Sequence, residues 1–126
     1  MRATVDAASS APATVVSCRV ERGHLVVGLS GVLDGASAPA LREYMLLLVH
    51  QCAGRLVLDL SAVSRADAGG LIVLVGTARR ARLLGGQLRL VAPRPAVADV
   101  LAATGLDRHL DIRAALAAAV KGSPRA

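Results

Sequence analysis

The chain has 126 residues, of which 54% are hydrophobic, and Tyr44 is its only aromatic residue. This length suits one domain, and the core must be aliphatic, which is typical of parallel strands covered by helices. The formal net charge is +6, and residues 65–126 carry all of it, with ten basic residues against four acidic ones. Because aromatic side chains are nearly absent, the chain offers no platform for stacking bases, and direct nucleic-acid binding is not expected.

A run of arginines without intervening acids favours an acidic partner surface. Its members are Arg79, Arg80, Arg82, Arg89 and Arg94. Arginine-rich coding bias would produce the same excess, so the sequence leaves both explanations open.

The cysteine spacing and the first residues of the chain argue against a zinc site, a disulfide scaffold and a signal peptide. Cys18 and Cys52 lie far apart, without the short paired spacings of zinc ligands or disulfide scaffolds. We therefore predict two buried, reduced thiols, with no metal and no cofactor. Residues 1–14 lack the apolar core of a signal peptide, and uncharged runs fall short of the ~18 residues of a membrane span. A cytoplasmic protein without a membrane span is expected.

The first part of the chain predicts a hairpin. Residues 1–13 are mostly small and polar and are expected to form a disordered leader. Strands over 14–20 and 24–30, joined by the turn Glu21-Arg22-Gly23, are expected to pair antiparallel. Residues 31–35 are expected to be a loop.

Helices and short apolar strands alternate through the rest of the chain. In chain order we first predict a helix from Ser37 to before Gly54, a strand over 56–60, a loop over 61–67 and a helix over 69–84. A strand over 87–92, a helix over 93–104, a strand over 109–112 and a helix over 113–121 are predicted to follow.

Two residues are expected to begin helices. Ser37 is the predicted N-cap of the first helix, whose apolar face Tyr44 is expected to widen. Asp67 is the predicted N-cap of the second, accepting hydrogen bonds from the amides of Gly69 and Gly70. A capped turn of this kind also occurs without any function.

The predicted order is ββαβαβαβα, an α/β domain over residues 14–121 followed by a tail over 122–126. Strands separated by helical crossovers pair in parallel, whereas the leading hairpin is antiparallel. One mixed sheet packed with helices follows.

Two segments resemble the STAS family (sulfate transporter and anti-sigma factor antagonist). Leu29-Ser30-Gly31-Val32-Leu33-Asp34 resembles the family's Leu-x-Gly-x-Leu-Asp after the second strand. Residues 56–71 are similar to its strand, loop and helix start, Val-x-Asp-Leu-Ser-x-Val-x-x-x-Asp-Ser-Ser-Gly-Leu. Residues 85–91 and 101–106 add support, and the resemblance covers about residues 14–113.

The resemblance implies a STAS-like mixed β-sheet and a non-enzymatic antagonist that binds an anti-sigma factor. In the family that factor is usually a serine kinase of the histidine-kinase-like ATPase fold, and binding releases the sigma factor for transcription. The implied partner-binding residues are Asp34, Asp67, Ala68, Gly69, Gly70 and Leu71. For Asp34, an ordinary turn-forming aspartate before a glycine is the alternative interpretation.

The chain departs from the family at the position of its regulatory phosphorylation. The family's phosphoacceptor serine matches Gly69, and the serine before it matches Ala68, so neither position carries a hydroxyl. Ser61 and Ser64 are the remaining candidate phosphosites of the same loop. Either the chain binds its partner without control by phosphorylation, or its STAS surface serves another partner.

Rival functions find less support. Asp59 ends an apolar strand as in a response-regulator receiver, but a receiver also needs an early acidic pair and a late lysine, and the only lysine is Lys121. His24, His50 and His109 are scattered, so no catalytic or metal-binding pattern is expected. Within the same fold, a STAS subunit of a transporter or another ATPase-associated complex remains the alternative.

Overall fold

The computed structural model describes residues 11–114. Residues 1–10 of the predicted leader, residues 115–121 of the predicted final helix and the tail over 122–126 lie outside the described residues. Nine elements follow one another: β1 (Thr14–Glu21), β2 (His24–Leu33), α1 (Ala38–Gln51), β3 (Arg55–Ala66), α2 (Ala68–Leu83), β4 (Gln87–Val91), α3 (Pro95–Thr104), a short 3-10 helix (Leu106–His109) and β5 (Asp111–Arg113).

The five strands form one sheet in the order β1-β2-β3-β4-β5. β1 and β2 pair antiparallel, and each later pair is parallel. This arrangement confirms the predicted hairpin and the predicted mixed sheet. It also places the carboxyl ends of β2, β3 and β4 at one edge of the molecule, because parallel strands end on the same side.

The core is aliphatic, as the composition requires. Val27, Leu58 and Leu90 of the sheet and Met45 and Leu74 of the helices are fully buried in it. Tyr44, in contrast, is 41% exposed, so the prediction that it widens the buried face of α1 is wrong.

β2 and β3 are longer than the sequence predicted. Residues 31–33 and 61–66 were expected to be loops, but both segments are strand. Gly31 pairs with Val63 and Leu33 with Ala66, and the Ser64 hydroxyl donates to the Gly31 carbonyl (3.2 Å). Polar and glycine residues here are tolerated because the strands continue to exchange backbone hydrogen bonds.

The end of the predicted leader also pairs with the sheet. The amide of Ala13 donates to the Val32 carbonyl, and the amide of Val32 donates to the Ala11 carbonyl, both at 2.9 Å. Residues 11–13 therefore depart from the expected disorder. They precede β1 and run beside the last residues of β2.

The cysteines lie nearer the surface than predicted. Both thiols are free, Cys52 is half-buried and Cys18 is exposed on the edge strand β1, so the prediction of two buried thiols is wrong for Cys18. Burial raises the pKa of the Cys52 thiol, which donates to the Leu48 carbonyl (3.2 Å).

The arginine run is dispersed in space. Arg79, Arg80 and Arg82 are exposed on α2. Arg89 is buried on β4 and pairs with Asp111 (Nε to Oδ2, 3.3 Å). The Arg94 Nε donates to the Ser61 carbonyl (2.7 Å). Of the five arginines, only the three of α2 lie together on one exposed face. No described helix is long and apolar enough to cross a membrane.

Candidate functional site: two adjacent turns at the sheet edge

Two turns meet at the carboxyl edge of the sheet. One follows β2 and begins at Asp34, and the other follows β3 and begins at Asp67. They are neighbours because Leu33 and Ala66 are paired in register, and because the Asp67 amide donates to the Leu33 carbonyl (2.9 Å). Residues far apart in the chain are thereby brought to one surface.

The first turn is fixed by Asp34. Its Oδ1 accepts from the Ser37 amide (3.0 Å) and from the Ser37 hydroxyl (2.9 Å). Hydrogen bonds from Ser37, with a smaller contribution from the charge of Arg65, lower the pKa of the Asp34 carboxyl below its ordinary value. Asp34 is therefore ionised at neutral pH and holds the start of α1.

Ser37 does not cap α1 with its side chain as predicted. It occupies the N-cap position, but its hydroxyl donates back to Asp34 and makes no cap hydrogen bond. Donation to the charged Asp34 carboxylate holds the Ser37 side chain against the Asp34 turn, since hydrogen bonds to a charged acceptor are stronger.

The second turn is fixed by Asp67. This residue has extended backbone geometry and is the N-cap of α2, with its Oδ1 accepting from the Gly70 amide (2.9 Å). The predicted cap is confirmed for Gly70, the N3 position of the helix. The Asp67 carbonyl then accepts the first helical hydrogen bond, from Leu71 (3.0 Å).

Close approach between the turns requires glycine at position 70. A Cβ atom at Gly70 would lie 2.3 Å from the carbonyl carbon of Leu33 and 2.6 Å from the Asp34 amide nitrogen. Both neighbours are backbone atoms and cannot move aside without displacing a strand end. Gly70 thus lets the first turn of α2 pack directly on the end of β2.

Gly69 faces the other turn at the surface. A Cβ atom there would lie 3.0 Å from the Gly35 Cα and 3.3 Å from the Asp67 Oδ1. Gly69 and Gly35 are both exposed. We call the patch formed by Asp34, Gly35, Asp67, Ala68 and Gly69 the two-turn surface.

Burial divides the predicted partner-binding residues into two groups. Asp67, Ala68 and Gly69 are exposed and Asp34 is half-buried, so all four are accessible to another molecule. Gly70 is buried and Leu71 has no exposed surface. Gly70 and Leu71 therefore lie behind the exposed residues of the turn.

A cleft of about 330 Å³ adjoins the two-turn surface. Asp34 and Asp67 line it together with Arg65 of β3 and two residues of α3, Ala96 and Val100. Arg65, Ala96 and Val100 were not among the residues predicted from the sequence. The parallel topology is a signal that could have found α3, because its first turn follows β4 and must lie at the same edge as the ends of β2 and β3.

The two candidate phosphosites differ in access. Ser61 is exposed, its amide donates to Asp59 (2.9 Å) and its carbonyl accepts from Arg94. Ser64 is 8% exposed and its hydroxyl points at the Gly31 carbonyl. A kinase could reach Ser61 without opening the sheet, whereas modification of Ser64 requires β2 and β3 to separate.

The chemistry of the surface suits recognition. It is built from backbone groups, small residues and two carboxylates, all held by hydrogen bonds to rigid elements. Within residues 11–114, no three His, Cys, Asp or Glu side chains gather in a way that could hold a metal ion. Rigid turns with little side-chain freedom bind a complementary protein surface at low entropic cost.

Comparisons with known proteins agree with this architecture. The anti-sigma-B factor antagonist of Bacillus subtilis strain 168 is 34% identical over 99 residues, which is 79% of this chain and 90% of that protein. An anti-sigma factor antagonist from Mycobacterium paratuberculosis has a similar crystal structure, with a TM-score of 0.73, 28% identity and 97% of each chain covered.

A third likeness is to part of a larger protein. The murine solute carrier 26 family anion transporter A9 matches 82% of this chain, with a TM-score of 0.70 and 20% identity, but the match covers only 18% of the transporter. At that identity the likeness shows the fold alone. The family model of the STAS domain matches residues 16–119, and the chain belongs to the STAS domain family.

Proposed function

We propose that this protein is an anti-sigma factor antagonist that binds a kinase-type anti-sigma factor through the two-turn surface and so regulates sigma-factor-dependent transcription. The observation that carries the proposal is the contact between the Asp34 and Asp67 turns at the ends of β2 and β3. Antagonists of anti-sigma factors are among the relatives most similar to the whole chain, which supports this partner. The proposed role is binding without catalysis.

The geometry supports a contact made largely by backbone and small side chains. Gly35 and Gly69 leave no side chain over the turns, so a partner's main chain can approach closely. Asp34 and Asp67 flank the contact with negative charge, which favours basic or amide donors on the partner.

The proposed antagonist has no phosphorylation switch at Gly69. The glycine offers no hydroxyl to a kinase, and Ala68 beside it offers none either. Of the two candidate phosphosites, Ser61 is the exposed one, so any remaining switch is proposed to use it. Binding is therefore expected to persist in the presence of ATP unless Ser61 is modified.

The first prediction tests the binding surface. Asp67→Arg should weaken the complex with the anti-sigma factor at least tenfold, because it replaces a carboxylate at the contact with a bulky cation. Loss of the cap to Gly70 should lower the free energy of unfolding by about 1 kcal/mol, which leaves the domain folded. Affinity is measured by isothermal titration calorimetry and stability by thermal unfolding.

Two control variants separate the surface from the fold and from net charge. Asp67→Asn keeps a capping side chain and removes the charge alone. Asp107→Arg makes the same charge change on the exposed 3-10 helix. Equal affinity of Asp67→Arg and the unmodified protein would place the binding site on another surface.

A STAS subunit of a transporter or another ATPase-associated complex is the second candidate. The similar fold within the chain of an anion transporter supports it. Copurification from native lysate distinguishes the two candidates, because the first requires an anti-sigma factor in the complex and the second a transporter or its ATPase.

A further inference from the structure

A second concave surface lies between α1 and α2, outside the two-turn surface. This groove encloses about 670 Å³ and runs along the exposed sides of both helices. Its lining includes Leu46 of α1 and Ile72, Val73 and Thr77 of α2. Gly76 also lines it, nine residues after Asp67 and so about 14 Å along the helix.

The groove exposes large aliphatic side chains. Ile72 is 48% exposed and Leu83 is 77% exposed, while Leu46 stands at the opposite wall. Leu47, on the next position of α1, is 63% exposed and lines an adjoining apolar hollow. Aliphatic surface of this kind is normally covered when it lies in a concave patch.

The rim of the groove is cationic. Arg42 of α1 and Arg79, Arg80 and Arg82 of α2 line it, and no acidic residue does. Within the described part of the chain, the ion pairs are made by Arg19, Arg89 and Arg113. The four arginines of the rim form no ion pair with a carboxylate there. An anionic ligand would supply carboxylates to pair with these arginines.

Gly76 has no structural role that explains a glycine in the middle of α2. A Cβ atom at this position would meet nothing within 4 Å, and its φ is not in the left-handed region. Glycine inside a helix is less favourable than alanine. Gly70, in contrast, is required by its contact with Leu33. The one effect of glycine at position 76 is to keep the floor of the groove open.

We propose that this groove docks an acidic amphipathic helix of a partner protein. The apolar face of such a helix would lie over Ile72, Leu46 and the recess at Gly76, and its Glu or Asp side chains would meet the four arginines. A helix in a groove between two helices is a common mode of peptide recognition. α1 and α2 have 14 and 16 residues, about 21 and 24 Å, which is enough for three to four turns of a ligand helix.

The recess favours a helix over a membrane surface. Binding to a lipid bilayer requires apolar side chains that protrude together, whereas this patch is concave and Gly76 in its lining has no side chain to protrude. The inference does not depend on the proposed anti-sigma partner, since none of its residues belongs to the two-turn surface.

The test uses the full chain and a defined probe, a synthetic helical peptide with leucines on one face and glutamates on both flanks. Fluorescence anisotropy at low salt should give a micromolar Kd, and a peptide with lysines in place of the glutamates should bind at least tenfold more weakly. Gly76→Leu should weaken binding at least tenfold because the new side chain fills the recess. Its thermal midpoint should stay equal or rise, because leucine favours the helix.

Two further variants and a vesicle arm decide the outcome. Gly76→Ala should stabilise α2 with little loss of binding, and Arg79→Glu with Arg80→Glu should abolish binding of the acidic peptide. A Kd in the millimolar range, or equal affinity of Gly76→Leu and the unmodified chain, would overturn the proposal. Binding to phosphatidylglycerol vesicles that Gly76→Leu preserves or strengthens, with no binding of the peptide, would overturn it in favour of a membrane surface.

Discussion

Three glycines of α2, Gly69, Gly70 and Gly76, lack a side chain in three different surroundings. Gly70 packs against backbone atoms, and no other residue fits there. Gly76 faces open space. Gly69 lies between these extremes, because a Cβ atom would be 3.0 Å from the Gly35 Cα, tight but within an exposed turn. Substitution is therefore forbidden at Gly70, free at Gly76 and conditional at Gly69.

Gly69→Ser should introduce a kinase-dependent switch. The φ angle at 69 is one that any residue adopts, and the Gly35 turn needs to move by only a few tenths of an ångström. Phosphorylation would then place about two negative charges beside Asp67 and Asp34 at the contact. The variant should bind the anti-sigma kinase without ATP and dissociate with ATP, whereas the unmodified chain should stay bound. Binding assays and mass spectrometry measure both effects.

Gly69→Ala is the matched control, because it adds the same Cβ atom without a hydroxyl. It should bind like the serine variant before phosphorylation and should not respond to ATP. If the unmodified chain acquires a phosphate on Ser61 and loses binding, the switch has moved to Ser61 and has not vanished; release by ATP without a phosphate on Ser61 would contradict the proposal.

Local motifs predicted the turn residues well and their surroundings poorly. Asp67 was recognisable as a cap because it precedes a helix whose third residue supplies the amide. Arg65 and Val100 could not be assigned to the same cleft from the chain alone, since one belongs to β3 and the other to α3. Their proximity depends on which strands are neighbours, which local residue patterns do not state.

At the scale of elements, sequence patterns predicted the succession of strands and helices along the chain better than the length of the strands. β2 and β3 were expected to end near Ser30 and Leu60, where glycine or polar residues replace the apolar run. Both continue because each has a parallel neighbour, and Gly31, with φ of +102°, also lets residues 11–12 approach closely. A long-range pairing of this kind overrides local propensity.

β5 is a short edge strand that depends on one carboxylate. Asp111 accepts hydrogen bonds from Gln87 Nε2 (2.9 Å) and Arg113 Nε (2.7 Å) and pairs with Arg89. The Arg89 side chain is only 6% exposed, so Asp111 neutralises a buried charge across β4 and β5. Three residues of backbone pairing alone would hold this strand weakly.

Asp111→Asn should therefore destabilise the domain by about 3 kcal/mol, since removing one partner of a buried ion pair leaves the other charge without its counterion. Urea unfolding followed by circular dichroism measures the change. Asp107→Asn is the control, because Asp107 is exposed on the 3-10 helix, and it should change stability by less than about 0.5 kcal/mol. Similar values for the two variants would show that Asp111 does not hold β5 in place.

At the scale of the whole molecule, the net charge of +6 is not spread evenly. Arg42, Arg79, Arg80 and Arg82 gather around the α1–α2 groove, while the two-turn surface carries Asp34 and Asp67. Two surfaces of opposite local charge on one small domain can serve two different partners, and each surface repels the partner of the other.

Charge placement should govern how fast an acidic partner associates with the groove. Replacing Arg79, Arg80 and Arg82 by Gln should lower the association rate roughly tenfold at low ionic strength and flatten its salt dependence. The control replaces Arg19, Arg22 and Arg55 by Gln, with the same change in net charge at exposed positions that do not line the groove. Stopped-flow measurements with the acidic peptide at several salt concentrations compare the two triple variants.

Because screening acts over about 8–10 Å, the control should retain most of the association rate and most of its salt dependence. Equal slowing in both variants would mean that net charge alone steers the encounter, and the same rate at low and high salt would mean that the arginine excess is compositional.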